Sequence, residues 1–169
     1  MAPIRTIFFL IGISSFGLII FALWLQHFQD IQPCPMCIIQ RYIFILICFF
    51  ALALTVHNPK KIGRITYLSL LAIASLVGGG VSGRHLYLEL NPHSSFDCGP
   101  DLGYMLETFT INQLFPIIFK GTGDCSEIPW TFLGLSMAGW ALVWFGIYLC
   151  LSVYLLYFTT KNVTTHHQF

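Results

Sequence analysis

Charged residues are missing from four long stretches of the chain: residues 7–25, 42–56, 65–83, and a run inside 130–160. An α-helix rises about 1.5 Å per residue, so about 20 residues cross the ~30 Å hydrocarbon core once. The pattern therefore predicts four crossings, at about residues 7–25, 40–56, 65–83 and 136–158. The second can start near 40 because Gln40 and Arg41 can sit at the membrane interface. The first stretch exceeds the ~7–15 apolar residues of a secretory signal core and no A-x-A-like site follows it, so it reads as a retained span. The expected fold is an all-α membrane protein, one four-helix domain over residues 1–169, with outer loops at about 26–39 and 84–135. Within the second loop, residues 102–119 are apolar with few charges. They suggest a short helix or ribbon on the membrane surface, or a loop packed on itself.

Composition agrees. The 169 residues are 56% hydrophobic and 9% charged, with mean hydropathy +0.76, against about 25% charged in soluble domains. A 16% aromatic share excludes disorder, and a formal net charge of +1 excludes the basic footprint of a nucleic-acid binder. Charge placement then sets orientation. Both ends of the chain and the middle loop share one side, which carries Arg5, Lys60, Lys61, Arg64 and Lys161 and no acid. The other side holds all seven acidic residues with only Arg41, Arg84 and Lys120. The positive-inside rule makes the basic side cytoplasmic.

Six cysteines are more than such a bundle needs for packing. Cys48 and Cys150 lie inside spans and read as buried packing residues. Cys34, Cys37, Cys98 and Cys125 fall in the outer loops, where disulfides form and persist, and two structural bridges would account for them. Cys34-Pro35-Met36-Cys37 alters that balance. A C-x-x-C ring is too small to constrain the unfolded chain much, and such pairs serve more often as redox couples or metal ligands. Cys37 falls in the first turn of the second span, where backbone N–H groups stabilise a thiolate. Arg41 follows one turn later on the same face. There it can favour that thiolate and donate to a ligand oxygen; an isolated interfacial Arg would merely snorkel to headgroups.

Other uses of the motif fit less well. Ile38 stands where a c-type haem site needs His, and no βαβ context surrounds the pair. A zinc site from the four outer cysteines lacks a second close pair, so no metal is expected. Cys98 and Cys125 read equally as a staple or as an exchanging pair, and two pairs on one membrane face suggest a relay. His85, at the outer end of the third span, can donate a hydrogen bond or proton, or be an ordinary interfacial His. Gly78-Gly79-Gly80 permits close helix approach.

Cys34-Pro35-Met36-Cys37-Ile38-Ile39-Gln40-Arg41 at the head of the second of four spans resembles the quinone-coupled motif of the bacterial disulfide bond formation protein B (DsbB) family. Gly123-Asp124-Cys125 and the following Trp130-Thr131-Phe132-Leu133-Gly134-Leu135 resemble it too, as does His85 thirteen residues before Cys98. One departure is Ala138, where a family member has Pro.

The resemblance implies a four-helix bundle of the bacterial inner membrane, with a short horizontal helix in the second periplasmic loop. It implies an oxidoreductase that reoxidises a periplasmic DsbA-like thiol oxidase. Cys98 would form the mixed disulfide with that partner, and Cys125 would be the other half of the bond. Cys34 would exchange with Cys125, leaving Cys37 as the thiolate against ubiquinone or menaquinone, whose oxygens Arg41 and His85 would polarise. The membrane quinone pool then carries the electrons away. Rival readings are another quinone-linked oxidoreductase, such as a vitamin K epoxide reductase-like protein, or a non-catalytic membrane protein with two structural disulfides.

Overall fold

A computed structural model describes residues 2–28, 34–91 and 130–164. Four helices dominate: α1 (Ala2–Phe28), α2 (Pro35–His57), α3 (Lys61–Leu90) and α4 (Met137–Thr164). All four are long and apolar enough to cross a membrane, as the charge-free stretches predict. A two-residue strand pair, β1 (Thr131–Phe132) and β2 (Leu135–Ser136), precedes α4, with Thr131 opposite Ser136 and Phe132 opposite Leu135. The expected surface helix at 102–119 lies outside the described residues.

The helix ends follow from local chemistry. Pro35 starts α2, because its missing N–H is not needed in the first turn. At the other end Asn58 takes a left-handed conformation (φ 40°) and donates its N–H to Leu54 O at 3.0 Å, and Pro59 then prevents continuation. Helix α3 continues through Arg84, His85 and Glu89 to Leu90, so residues 84–90 are helical where the charge pattern suggested a loop. Nothing in that segment breaks a helix until Asn91-Pro92. At 30 residues, α3 is about 45 Å long. It therefore outreaches the hydrocarbon core and carries polar side chains into the interfacial layer. The hairpin turn puts both Leu133 (φ 53°) and Gly134 (φ 78°) at positive φ. That geometry matches the twist of a two-residue hairpin, and Gly134 takes it without strain.

Helix α1 packs against α2, α2 against α3, and α3 against α4. The core joins Phe8 and Ile11 of α1 to Phe44 and Ile47 of α2, Leu68 and Leu71 of α3, and Phe145 and Tyr148 of α4. Phe44 and Phe145 stack with ring centroids 4.2 Å apart, and Ser14 and Tyr148 share a hydrogen bond of 2.9 Å between α1 and α4. Gly78 lets the Phe145 ring reach the α3 backbone, since a Cβ there would lie 2.5 Å from a ring carbon. The close approach expected of the triple glycine is thus made by Gly78. Outward faces carry Phe9, Phe16, Ile45, Phe49, Ile73, Leu76 and Val153. In water these would form a large apolar patch, and in a bilayer they meet lipid.

Cys48 is buried and its thiol donates to Gly12 O at 3.4 Å, as a packing residue should. Cys150 corrects the sequence reading, because it is exposed. The buried face of α4 runs through Ala138, Ala141, Phe145, Tyr148, Ser152 and Leu155. Cys150 falls two residues past Tyr148, about 200° round the helix, on the outer flank. Ala138 is fully buried in the first turn of α4.

Candidate functional site

Cys34 is the N-cap of α2. Its backbone is extended (φ −66°, ψ 160°), and its Sγ accepts the Cys37 N–H at 3.2 Å. Pro35 fixes the first helical residue, which brings the Cys37 Sγ to 3.1 Å from the Cys34 Sγ. The two thiols are not joined here, but a bond of about 2.0 Å needs them to close by only ~1 Å. The helix terminus thus addresses the sulfur of Cys34, where the sequence reading stressed Cys37. Backbone N–H groups at a helix start favour negative charge on a capping atom. Cys34 is buried and Cys37 half-buried, beside Met36 and Leu88.

Helix α3 delivers the second component. His85 is buried, with Nε2 3.6 Å from the Cys34 Sγ and Nδ1 3.3 Å from the Gln40 side-chain amide. One turn further on, the Glu89 carboxylate places Oε1 3.7 Å from the same Nε2. Its Oε2 accepts the Ser136 hydroxyl at 2.5 Å, and the Ser136 Oγ in turn accepts the Gly139 N–H at 3.2 Å, capping α4. A polar line therefore runs Ser136–Glu89–His85–Cys34, with Gln40 at its side. It ties α4, α3 and α2 together at one end of the bundle.

Arg41 closes that end against α1. Its guanidinium donates to Gln26 Oε1 at 2.5 Å and to the Ala22 carbonyl at 3.3 Å. These bonds use two of the five N–H groups of a guanidinium. The group is half-buried and within electrostatic reach of both cysteine sulfurs, Cys37 more than Cys34. It is anchored to protein, which a side chain merely snorkelling to headgroups would not be.

The structure thus brings together Cys34, Cys37 and His85, with Arg41 alongside. Cys98 and Cys125 lie outside the described residues. Sequence reasoning missed Gln40, Glu89 and Ser136. A signal was present for Glu89, which follows His85 by four residues and so shares its helical face. Gln40 lies three residues after Cys37 at the head of an otherwise apolar helix. Ser136 had no comparable signal, since its role depends on the hairpin that turns it toward α3. The sulfurs of Cys34 and Cys37 and a ring nitrogen of His85 lie within 4.8 Å of one another, close enough for a thiophilic ion to bridge them when the pair is reduced. Chemically, two adjacent thiols with a helix cap, an imidazole and a fixed cation can exchange disulfides and give up two electrons as a pair.

Comparison with known proteins agrees with this geometry. The profile of the family described as disulfide bond formation protein DsbB matches residues 4–155. A disulfide bond formation protein B of Azoarcus sp. (strain BH72) is 45% identical over 153 residues, 90% of this chain and 92% of the relative. One from Aromatoleum aromaticum is 46% identical over 127 residues, 75% and 76% of the two chains. Another from Hahella chejuensis is 43% identical over 142 residues, 83% of this chain and 86% of the relative. With a thiol pair capping a membrane-crossing helix and this likeness along nearly the whole chain, the protein belongs to the disulfide bond formation protein B family.

Proposed function

We propose that the protein is a quinone-dependent thiol oxidase of the bacterial inner membrane, which reoxidises a periplasmic DsbA-type dithiol oxidase. The observation that carries this reading is the close Cys34–Cys37 pair at the cap of a membrane-crossing helix, with His85 against one sulfur. Lys60, Lys61 and Arg64 lie in the α2–α3 turn and the start of α3, and Lys161 lies near the end of α4, all remote from the pair. That distribution supports cytoplasmic termini and periplasmic redox cysteines.

The chain's own residues pass two electrons inward by exchange. The partner's dithiol reduces the Cys98–Cys125 disulfide, with Cys98 forming the mixed disulfide. The thiolate of Cys125 then attacks Cys34, releasing Cys37 as the thiolate. Cys98 next attacks Cys125, which re-forms the Cys98–Cys125 bond and frees Cys34. Cys34 and Cys37 then hold the two electrons and hand them on with two protons as they rejoin. A ubiquinone or menaquinone held at this end would supply the two-electron acceptor. The donor set fits such a ring. Arg41 carries guanidinium N–H groups beyond the two that bind α1, and His85 lies against the Cys34 sulfur. Cys37 is half-buried at the same end. Energetically, a dithiol partner near −120 mV, the value for DsbA, needs a strong acceptor, since about 30 mV is ~1.4 kcal/mol for two electrons. Quinones dissolve in the bilayer, which is why the accepting sulfurs sit at its edge.

The test mixes purified protein with a reduced dithiol oxidase and a water-soluble quinone. Thiols should disappear only when quinone is present, with one quinol formed per disulfide. If thiols persist although the protein is folded, the outer cysteines are structural staples instead.

A further inference from the structure

We infer that Glu89 is the positioning residue of the thiol pair: it holds His85 so that the imidazole can take the proton of Cys34. The inference rests on the reading of Cys34 as an exchanging thiol. It starts from the cost of the group. Glu89 is only 9% exposed near the end of a membrane-crossing helix, where a carboxylate is expensive unless it has partners or a role. Its partners are specific. Ser136 donates its hydroxyl to Oε2, and Ser136 is itself fixed because the same oxygen accepts Gly139 N–H. The other oxygen faces His85 Nε2 at 3.7 Å.

The imidazole is therefore gripped from both sides, by Gln40 at Nδ1 and by Glu89 at Nε2, with the Cys34 sulfur 3.6 Å away. The Gln40 amide can present its N–H to a bare Nδ1 or its oxygen to a protonated one, so it serves both forms of the ring. The thiol and the carboxylate both address Nε2, while Gln40 holds Nδ1. The amide therefore fixes the ring, and Glu89 places negative charge beside the nitrogen that takes the proton. Here the proton moves from the Cys34 Sγ to Nε2, leaving thiolate and imidazolium, and the Glu89 carboxylate beside Nε2 stabilises the new cation. No electron moves in that step, and the proton returns when Cys34 is reprotonated.

The groups facing Glu89 define what the test must separate. On α3 there is His85, and from the start of α2 come Cys34 and Cys37. The hairpin and α4 bring the Ser136 hydroxyl. The one charged residue in the hairpin and α4 is Lys161, far along α4. Arg41 is turned toward α1. As a bare neighbouring negative charge, Glu89 would oppose a Cys34 thiolate. Acting through His85, it favours one. The two roles differ in sign.

The measurement uses the full-length chain with Cys37, Cys48, Cys98, Cys125 and Cys150 changed to Ser, and follows alkylation of Cys34 by iodoacetamide against pH. Glu89→Gln should move the profile to higher pH and slow alkylation roughly tenfold near neutrality, the size of one pH unit. Glu89→Asp should restore part of the rate. In a His85→Asn background, Glu89→Gln should slow nothing further. Unchanged or faster alkylation in Glu89→Gln overturns the inference. Thermal melts report folding, and if Glu89→Gln does not fold, Ser136→Ala and Glu89→Asp must each slow alkylation by a smaller factor; no slowing in either is equally fatal. Neither quinone nor partner is present, so a negative result counts against Glu89 alone, whereas loss of quinone-dependent turnover counts against the proposed function.

Discussion

His85 stands 3.6 Å from the sulfur of Cys34, although 51 residues separate them in the chain. Helix α3 makes this possible by running beyond the apolar core, so that its last turns reach the cap of α2. If His85 moves the Cys34 proton, His85→Asn should lower kcat/KM for the reduced partner about 10²-fold, the lower end for a positioned acid–base group. Gln40→Leu removes only the hydrogen bond to Nδ1, worth about 1 kcal/mol, and should cost less than tenfold. Steady-state rates on proteins with matched melting temperatures check both.

Arg41 joins α2 to α1 through Gln26 and the Ala22 carbonyl while lying within electrostatic reach of Cys37. Arg41→Met should raise the quinone KM by roughly ten- to a hundredfold, the equivalent of a charge-assisted hydrogen bond of about 1.5–3 kcal/mol. Arg41→Lys keeps the charge but loses the planar fork, and should fall between the two. Quinone titrations at saturating partner measure this. Unchanged affinity and turnover in Arg41→Met would remove the residue from the site.

The Gly78–Phe145 contact makes a stability prediction. Gly78→Val drives carbon into the Phe145 ring, 2.5 Å from where its Cβ would stand, and should destabilise by about 1–3 kcal/mol. Gly80→Ala has open space around it and should be neutral or slightly stabilising. Combining Gly78→Val with Phe145→Leu should recover part of the loss. Thermal unfolding in one detergent compares the three.

Much of the fold could be read because lipid imposes a simple rule: four charge-free runs became four helices, and the lone C-x-x-C fell at a helix start. What sequence left open came from contacts across the bundle. Nothing in the order of residues says that Ser136 would be turned onto Glu89, because a hairpin with a Leu133 at positive φ sets that direction. The exposure of Cys150 was a matter of helical phase, which an all-round apolar helix such as α4 conceals. His85 was legible as a candidate, yet which sulfur it faced was not.

The order of transfer through the outer cysteines is open to trapping. With the partner's second cysteine changed to Ser, an adduct should accumulate on Cys98, read by mass spectrometry of the cross-linked peptides. An adduct on Cys125 instead would reverse the proposed order.

The central claim is that Cys34 and Cys37 hand two electrons to a membrane quinone. The most direct measurement adds one equivalent of quinone to fully reduced, detergent-solubilised protein with Cys98 and Cys125 changed to Ser, then maps disulfides and quantifies quinol after a single turnover. A Cys34–Cys37 bond forming in step with one quinol supports the account, and Cys37→Ser should abolish both. Quinone left unreduced, with both thiols still alkylatable in folded protein, would contradict it.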